Sequence, residues 1–227
     1  MQGYRRDGVF LPFPPLLVFS PTAFRTVNNM NPSCKVTNSL QFQNTLPILA
    51  LMTHLNFDNH PQFFTATILD WMPLLREDTF KDIIIKSLQF LSDEKIIVVY
   101  GFVIMPNHIH LIWQLQDGHT QKSIQLRFMK FTAQLMKFRL LETKDPRLSS
   151  FEVNSRDRQY QFWKRNPLSI DLWTPQVFIQ KLDYIHRNPL QPKWHLAEFP
   201  EDYEYSSARF YETGIDAFGF LKHHEGD

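Results

Sequence analysis

The chain has 227 residues, 43% of them hydrophobic and 15% aromatic, enough for one domain of about 150 residues with extensions and too apolar for global disorder. Its 24 Lys and Arg nearly cancel its 23 Asp and Glu, and the single cysteine, Cys34, excludes an internal disulfide or a multi-cysteine zinc site. Seven scattered glycines fit no GxGxxG or GxxxxGK loop, and no apolar run reaches the ~18 residues of a membrane span, so the expectation is a cytoplasmic protein that is neither a dinucleotide nor a P-loop enzyme.

Residues 1–51 hold six of the 15 prolines and read as an irregular extension. Three prolines interrupt the apolar stretch 9–19, which argues against a signal-peptide helix there. Met30 and Met52 offer alternative starts, so the extension need not be translated. From residue 52 the pattern becomes regular. FFTATIL (63–69) is β-branched and aromatic, hence a strand. Residues 78–91 carry apolar side chains at helical spacing behind Asp78 as N-cap. KIIVVYGFVI (95–104) reads as a buried strand, Met105-Pro106-Asn107 as a turn, and HIHLIWQL (108–115) as an antiparallel partner strand. A long helix over 120–141 presents Ile124, Phe128, Phe131, Leu135 and Phe138 as its buried stripe. Residues 142–160 read as loop, and 161–173 as one or two short strands. A last helix over 175–187 has proline in its first turn and Pro189 closing it. The order β-α-β-β-α-β-α predicts an α+β fold, a ferredoxin-like split βαβ antiparallel sheet with an additional C-terminal helix. The expected domain spans 52–190, followed by a tail over 191–227.

The near-neutral total conceals an uneven distribution. Residues 121–165 contain eleven basic and four acidic side chains, whereas 197–227 contain two basic and eight acidic. The basic segment interleaves Lys130, Lys137, Lys164 and Arg165 with Tyr160, Phe162 and Trp163, a pattern suited either to solvated surface or to phosphates and unpaired bases.

Two constellations carry candidate chemistry. His108 and His110 fall on one face of a strand, ~7 Å apart along it. They are either polar residues on a solvent face or two ligands for one divalent metal. Tyr184 and Asn188 stand at i and i+4 near the end of the last helix. They are either a core tyrosine beside a capping Asn or a phenol nucleophile beside a metal ligand.

The segments YGFVIMPNHIHL (100–111), 123–132, YIHRNPL (184–190) and DYEYSSA (202–208) together resemble the single-tyrosine HUH transposases, in particular the REP-associated tyrosine transposases. The resemblance covers roughly residues 60–212. It implies that Tyr184 is the nucleophile, that His108, His110 and Asn188 hold Mg²⁺ or Mn²⁺, and that the substrate is single-stranded DNA with a hairpin. Some relatives carry Gln at the position of Asn188. The implied reaction is cleavage and rejoining through a 5′-phosphotyrosine intermediate, without a nucleotide cofactor. A free phenol titrates near 10 and needs activation to act at neutral pH. The candidate DNA contacts come from the basic segment itself and are Lys130, Lys137, Trp163, Lys164 and Arg165; the expected assembly is a monomer or homodimer, nucleoid-associated in the cytoplasm. Two other readings stay open: a domesticated relative that binds hairpin DNA without cutting it, and a metal-dependent phosphodiester hydrolase that uses water as nucleophile.

Overall fold

The computed structural model describes residues 60–116 and 118–225. The expected extension over 1–51 lies outside the described residues. Strand β1 (Gln62–Thr67) leads through two short 3₁₀ turns to helix α1 (Asp78–Asp93). Strands β2 (Ile97–Met105) and β3 (His108–Leu115) form a hairpin closed by the Pro106-Asn107 turn. Helix α2 (Gln121–Glu142) follows, with Thr120 as its N-cap. Then come a small hairpin of β4 (Glu152–Ser155) and β5 (Arg158–Tyr160), strand β6 (Leu168–Asp171) and helix α3 (Pro175–Arg187). Helix α4 (Ala208–Thr213) lies in the tail.

Strands β2, β3, β1 and β6 form one four-stranded sheet in that order, and every neighbouring pair is antiparallel. Period-2 alternation divides the sheet into two faces. On one face Phe64 stacks on Trp113 at 5.1 Å, and Phe128 of α2 meets both rings edge-on. Helices α1 and α2 pack together on this side. Helix α3 crosses the other face. Its approach depends on Gly101, because a Cβ there would lie 2.7 Å from Leu182 Cδ1 and 3.1 Å from Ile185 Cδ1. A β-bulge between Val99 and Gly101 adjusts the strand at the same place.

The expected stripe of α2 shifts. Ile124 and Phe128 are buried as expected, but the line continues through Thr132, Met136 and Leu140, while Phe138 is half exposed. Thr132 is tolerated there because its hydroxyl bonds back to the Phe128 carbonyl at 2.8 Å and accepts the Trp163 indole N–H at 3.0 Å. Asp78 is not the N-cap of α1. It sits in the first turn and binds Lys81 Nζ at 2.8 Å. Residues 142–160, expected as loop, contain a 3₁₀ turn and the β4–β5 hairpin.

The tail covers the outer edge of β2. Ser206 bridges Val103, Ile104 N–H donates to the Tyr205 carbonyl at 2.9 Å, and Lys222 N–H donates to the Val99 carbonyl at 3.0 Å. The Tyr203 hydroxyl donates to the Ile104 carbonyl at 2.7 Å. Without this strap β2 would present a row of unpaired backbone groups.

Candidate functional site

The two histidines stand on the α3 face of the sheet, where alternation along β3 puts His108 and His110 on one side and Ile109 and Leu111 on the other. Their rings lean together, with centroids 4.8 Å apart. Pairing register sets their partners. Thr65 lies directly opposite His110, and its Oγ1 is 2.7 Å from His110 Nδ1. His108 Nδ1 lies 2.7 Å from Asn107 Oδ1, and Asn107 Nδ2 donates to the Trp71 carbonyl at 3.1 Å. A carboxamide oxygen only accepts, so Nδ1 of His108 carries the proton and its Nε2 keeps a lone pair. His110 Nε2 is buried without a hydrogen-bond partner. Burial pushes His108 down to about 4, assisted by Lys193. Burial likewise pushes His110 down to about 3, assisted by His108, Lys181 and Lys193. Both rings are therefore neutral donors at neutral pH.

An orphaned imidazole nitrogen beside a second neutral imidazole, each oriented through its other nitrogen, is the donor chemistry of a divalent metal site. Among the described residues no third His, Cys, Asp or Glu joins the pair. A further protein ligand would have to be an amide or hydroxyl oxygen.

Tyr184 comes to this site from α3. Thr174 caps the helix by accepting Val177 N–H, and Pro175 occupies the first turn. The Tyr184 ring lies 5.3 Å from His110 and 6.1 Å from Phe63, and the residue is 43% exposed. Asn188 keeps helical angles (φ −58°, ψ −42°) although it precedes proline, so it stays on the Tyr184 face one turn on. It is 2% exposed.

Three lysines ring the pair, each over an aromatic face. Lys181 Nζ is 5.0 Å from the Phe63 ring and 5.8 Å from Tyr184, Lys193 is 5.3 Å from Trp194, and Lys164 is 4.9 Å from Trp71. Trp194 and Trp71 flank His108 at 5.8 and 6.4 Å. Lys181, three residues before Tyr184, was readable from helical spacing. Thr65 required the strand register, and Trp71, Lys193 and Trp194 required the fold.

The expected DNA contacts divide. The Lys164 backbone N–H donates to the Thr67 carbonyl at 2.7 Å, and Thr67 faces His108 across the ladder, so Lys164 and exposed Arg165 sit at the histidine end. Trp163 does not serve as a stacking surface: it is 4% exposed and tied to Thr132. Lys130 and Lys137 belong to α2, which packs on the opposite sheet face from the histidines. Lys130 is exposed there, and Lys137 lies 5.6 Å from the Tyr160 ring. His186 is half-buried. Its Nε2 lies 2.8 Å from Ser207 Oγ, and burial pushes it down to about 4.

No protein-family model and no curated protein matches the sequence. The fold is mixed α+β with an antiparallel four-stranded sheet. It is similar to the structure of a REP-associated tyrosine transposase bound to a REP hairpin, with a TM-score of 0.50 and 16% identity over 75% of this chain and 92% of that one. A weaker likeness links it to a candidate transposase from Deinococcus radiodurans, with a TM-score of 0.39 and 14% identity over 57% of this chain and 90% of that one. A score that low adds nothing about the fold.

Proposed function

We propose that this chain is a metal-dependent transposase that cleaves and rejoins single-stranded DNA at hairpin-flanked sites, with Tyr184 as nucleophile. The observation that carries the proposal is a half-exposed tyrosine facing a histidine pair whose inner nitrogen, His110 Nε2, has no protein partner. His108, His110 and the Asn188 amide oxygen would hold Mg²⁺ or Mn²⁺, which when bound draws negative charge from the non-bridging phosphate oxygens. Lys181 and Lys193 supply fixed positive charge where a phosphodiester would approach. The Tyr184 Oη–P bond forms as the P–O3′ bond breaks. The phenolic proton is lost to solvent, and the departing 3′-oxygen takes one up. The phosphorus remains a diester, so a second 3′-hydroxyl can reverse the step on another strand without a nucleotide cofactor.

The ferredoxin-like arrangement belongs to the same proposal. It is supported by the strand order β2-β3-β1-β6, with β6 as the fourth strand and α3 as the added helix carrying the tyrosine. The protein would act in the cytoplasm, and among the described residues no helix is long and apolar enough to cross a membrane.

The test uses 5′- and 3′-labelled hairpin oligonucleotides from the flanks of the gene, incubated with Mg²⁺ or Mn²⁺ and run on denaturing protein gels. The expected result is a metal-dependent covalent adduct carrying the downstream label, reduced at least ~10³-fold by Tyr184→Phe. Cleavage that persists in the variant would replace the tyrosine mechanism with hydrolysis by water. Retarded but uncut DNA would make the chain a hairpin-binding protein.

A further inference from the structure

Trp71 stands out at the rim of the histidine pair. The residue is 55% exposed, although an indole is among the most favourable side chains to bury. Asp70 and Trp71 are successive non-glycine residues with φ of 51° and 58°. That left-handed conformation is unfavourable for each of them, so surrounding contacts must hold it. One such contact is the Trp71 carbonyl, which accepts from Asn107 Nδ2, while the same amide's oxygen orients His108. The position of the indole is thus coupled through one side chain to a proposed metal ligand. Lys164 lies over the ring at 4.9 Å, and its own backbone is pinned to Thr67 opposite His108. Of the other tryptophans near the histidines, Trp163 is buried in the core and Trp194 packs half-buried against His108, while the exposed Trp173 lies against His60 at the opposite end of β1.

We propose that Trp71 is a stacking platform for an unpaired nucleobase next to the phosphate that enters the histidine site, with Lys164 contacting the neighbouring phosphate. This rests on the single-stranded DNA reading above and adds to it how the strand is held. Every base has a π-face, so the contact favours unpaired over paired DNA without reading sequence.

The full chain is titrated, without added metal, into a fluorescein-labelled strand of fifteen deoxythymidines and followed by anisotropy. Trp71→Leu and Trp71→Asn are expected to weaken binding about tenfold, while Trp71→Phe stays within about threefold of wild type. The salt dependence should be unchanged in the Trp71 variants but lose about 0.7 of its log–log slope in Lys164→Ala. Asparagine suits the left-handed backbone, so Trp71→Asn should melt no lower than wild type, which separates lost stacking from lost folding. Wild-type binding that Trp71→Leu leaves within twofold overturns this inference alone. Wild-type chain that fails to bind the strand overturns the DNA reading and this inference with it.

Discussion

The two faces of the central sheet are built from the same strands and do opposite work. On the α1–α2 side, Phe64, Trp113 and Phe128 close a buried aromatic cluster. On the α3 side, the alternate residues of β1 and β3 are Phe63, Thr65, His108 and His110. They are held almost as tightly but leave a buried nitrogen unpaired beside a half-exposed tyrosine. The first face also buries an unpartnered nitrogen, Trp113 Nε1, but an indole N–H only donates and offers no lone pair to a ligand. The second face leaves an imidazole nitrogen, His110 Nε2, without a protein partner, which is the feature on which the proposed metal site rests.

Acid should separate the two faces most sharply. His108, His110 and His186 all lie on the α3 side, with pKa lowered by burial to about 4, 3 and 4. In the unfolded chain each titrates near 6.5, so below that pH the unfolded state binds more protons. Stability is then full above about 6.5 and is lost as pH falls toward the folded values. Each histidine contributes at most about 1.4 kcal/mol per pH unit across this window, and urea titrations between pH 7 and 4 should show the decline.

Truncation comes next. Phe128→Ala should cost about 3–5 kcal/mol in a urea unfolding experiment. His110→Leu should cost only about 1–2 kcal/mol, because removing the unpaired Nε2 partly offsets the lost Thr65 Oγ1–Nδ1 hydrogen bond, while abolishing Mn²⁺ binding measured by calorimetry. Equal losses for the two would dissolve the contrast between the faces. Asn107→Ala should weaken Mn²⁺ binding roughly 10–100-fold by leaving the His108 tautomer unfixed. Gly101→Ala should cost about 1–3 kcal/mol by pushing Leu182 and α3 off the sheet, with a measurable fall in melting temperature.

Much of this architecture is legible along the chain because it is periodic. Strand β3 and helix α3 have the bounds that their apolar spacing and flanking Pro, Thr and Asn residues predict. Helix α2 is less legible because its apolar residues are spread around the axis. Threonine at 132 and methionine at 136, rather than Phe138, face the core. The β4–β5 hairpin is too short and polar to register, and the edge strand β6 is four residues with partly exposed apolar side chains.

The candidate site divides in the same way. Local spacing by itself determined that His108 and His110 share a strand face and that Tyr184 and Asn188 share a helix face, since both follow from the repeat of one element. Only the tertiary structure decided that those two faces meet, through the close approach that Gly101 permits between α3 and β2. It also decided which aromatics are open. Trp163, next to a lysine in a basic stretch, turns inward to Thr132, whereas Trp71, with no charge pattern to mark it, stands exposed beside His108. Exposure depends on what other segments cover a side chain, and those segments come from distant parts of the chain that no local spacing records.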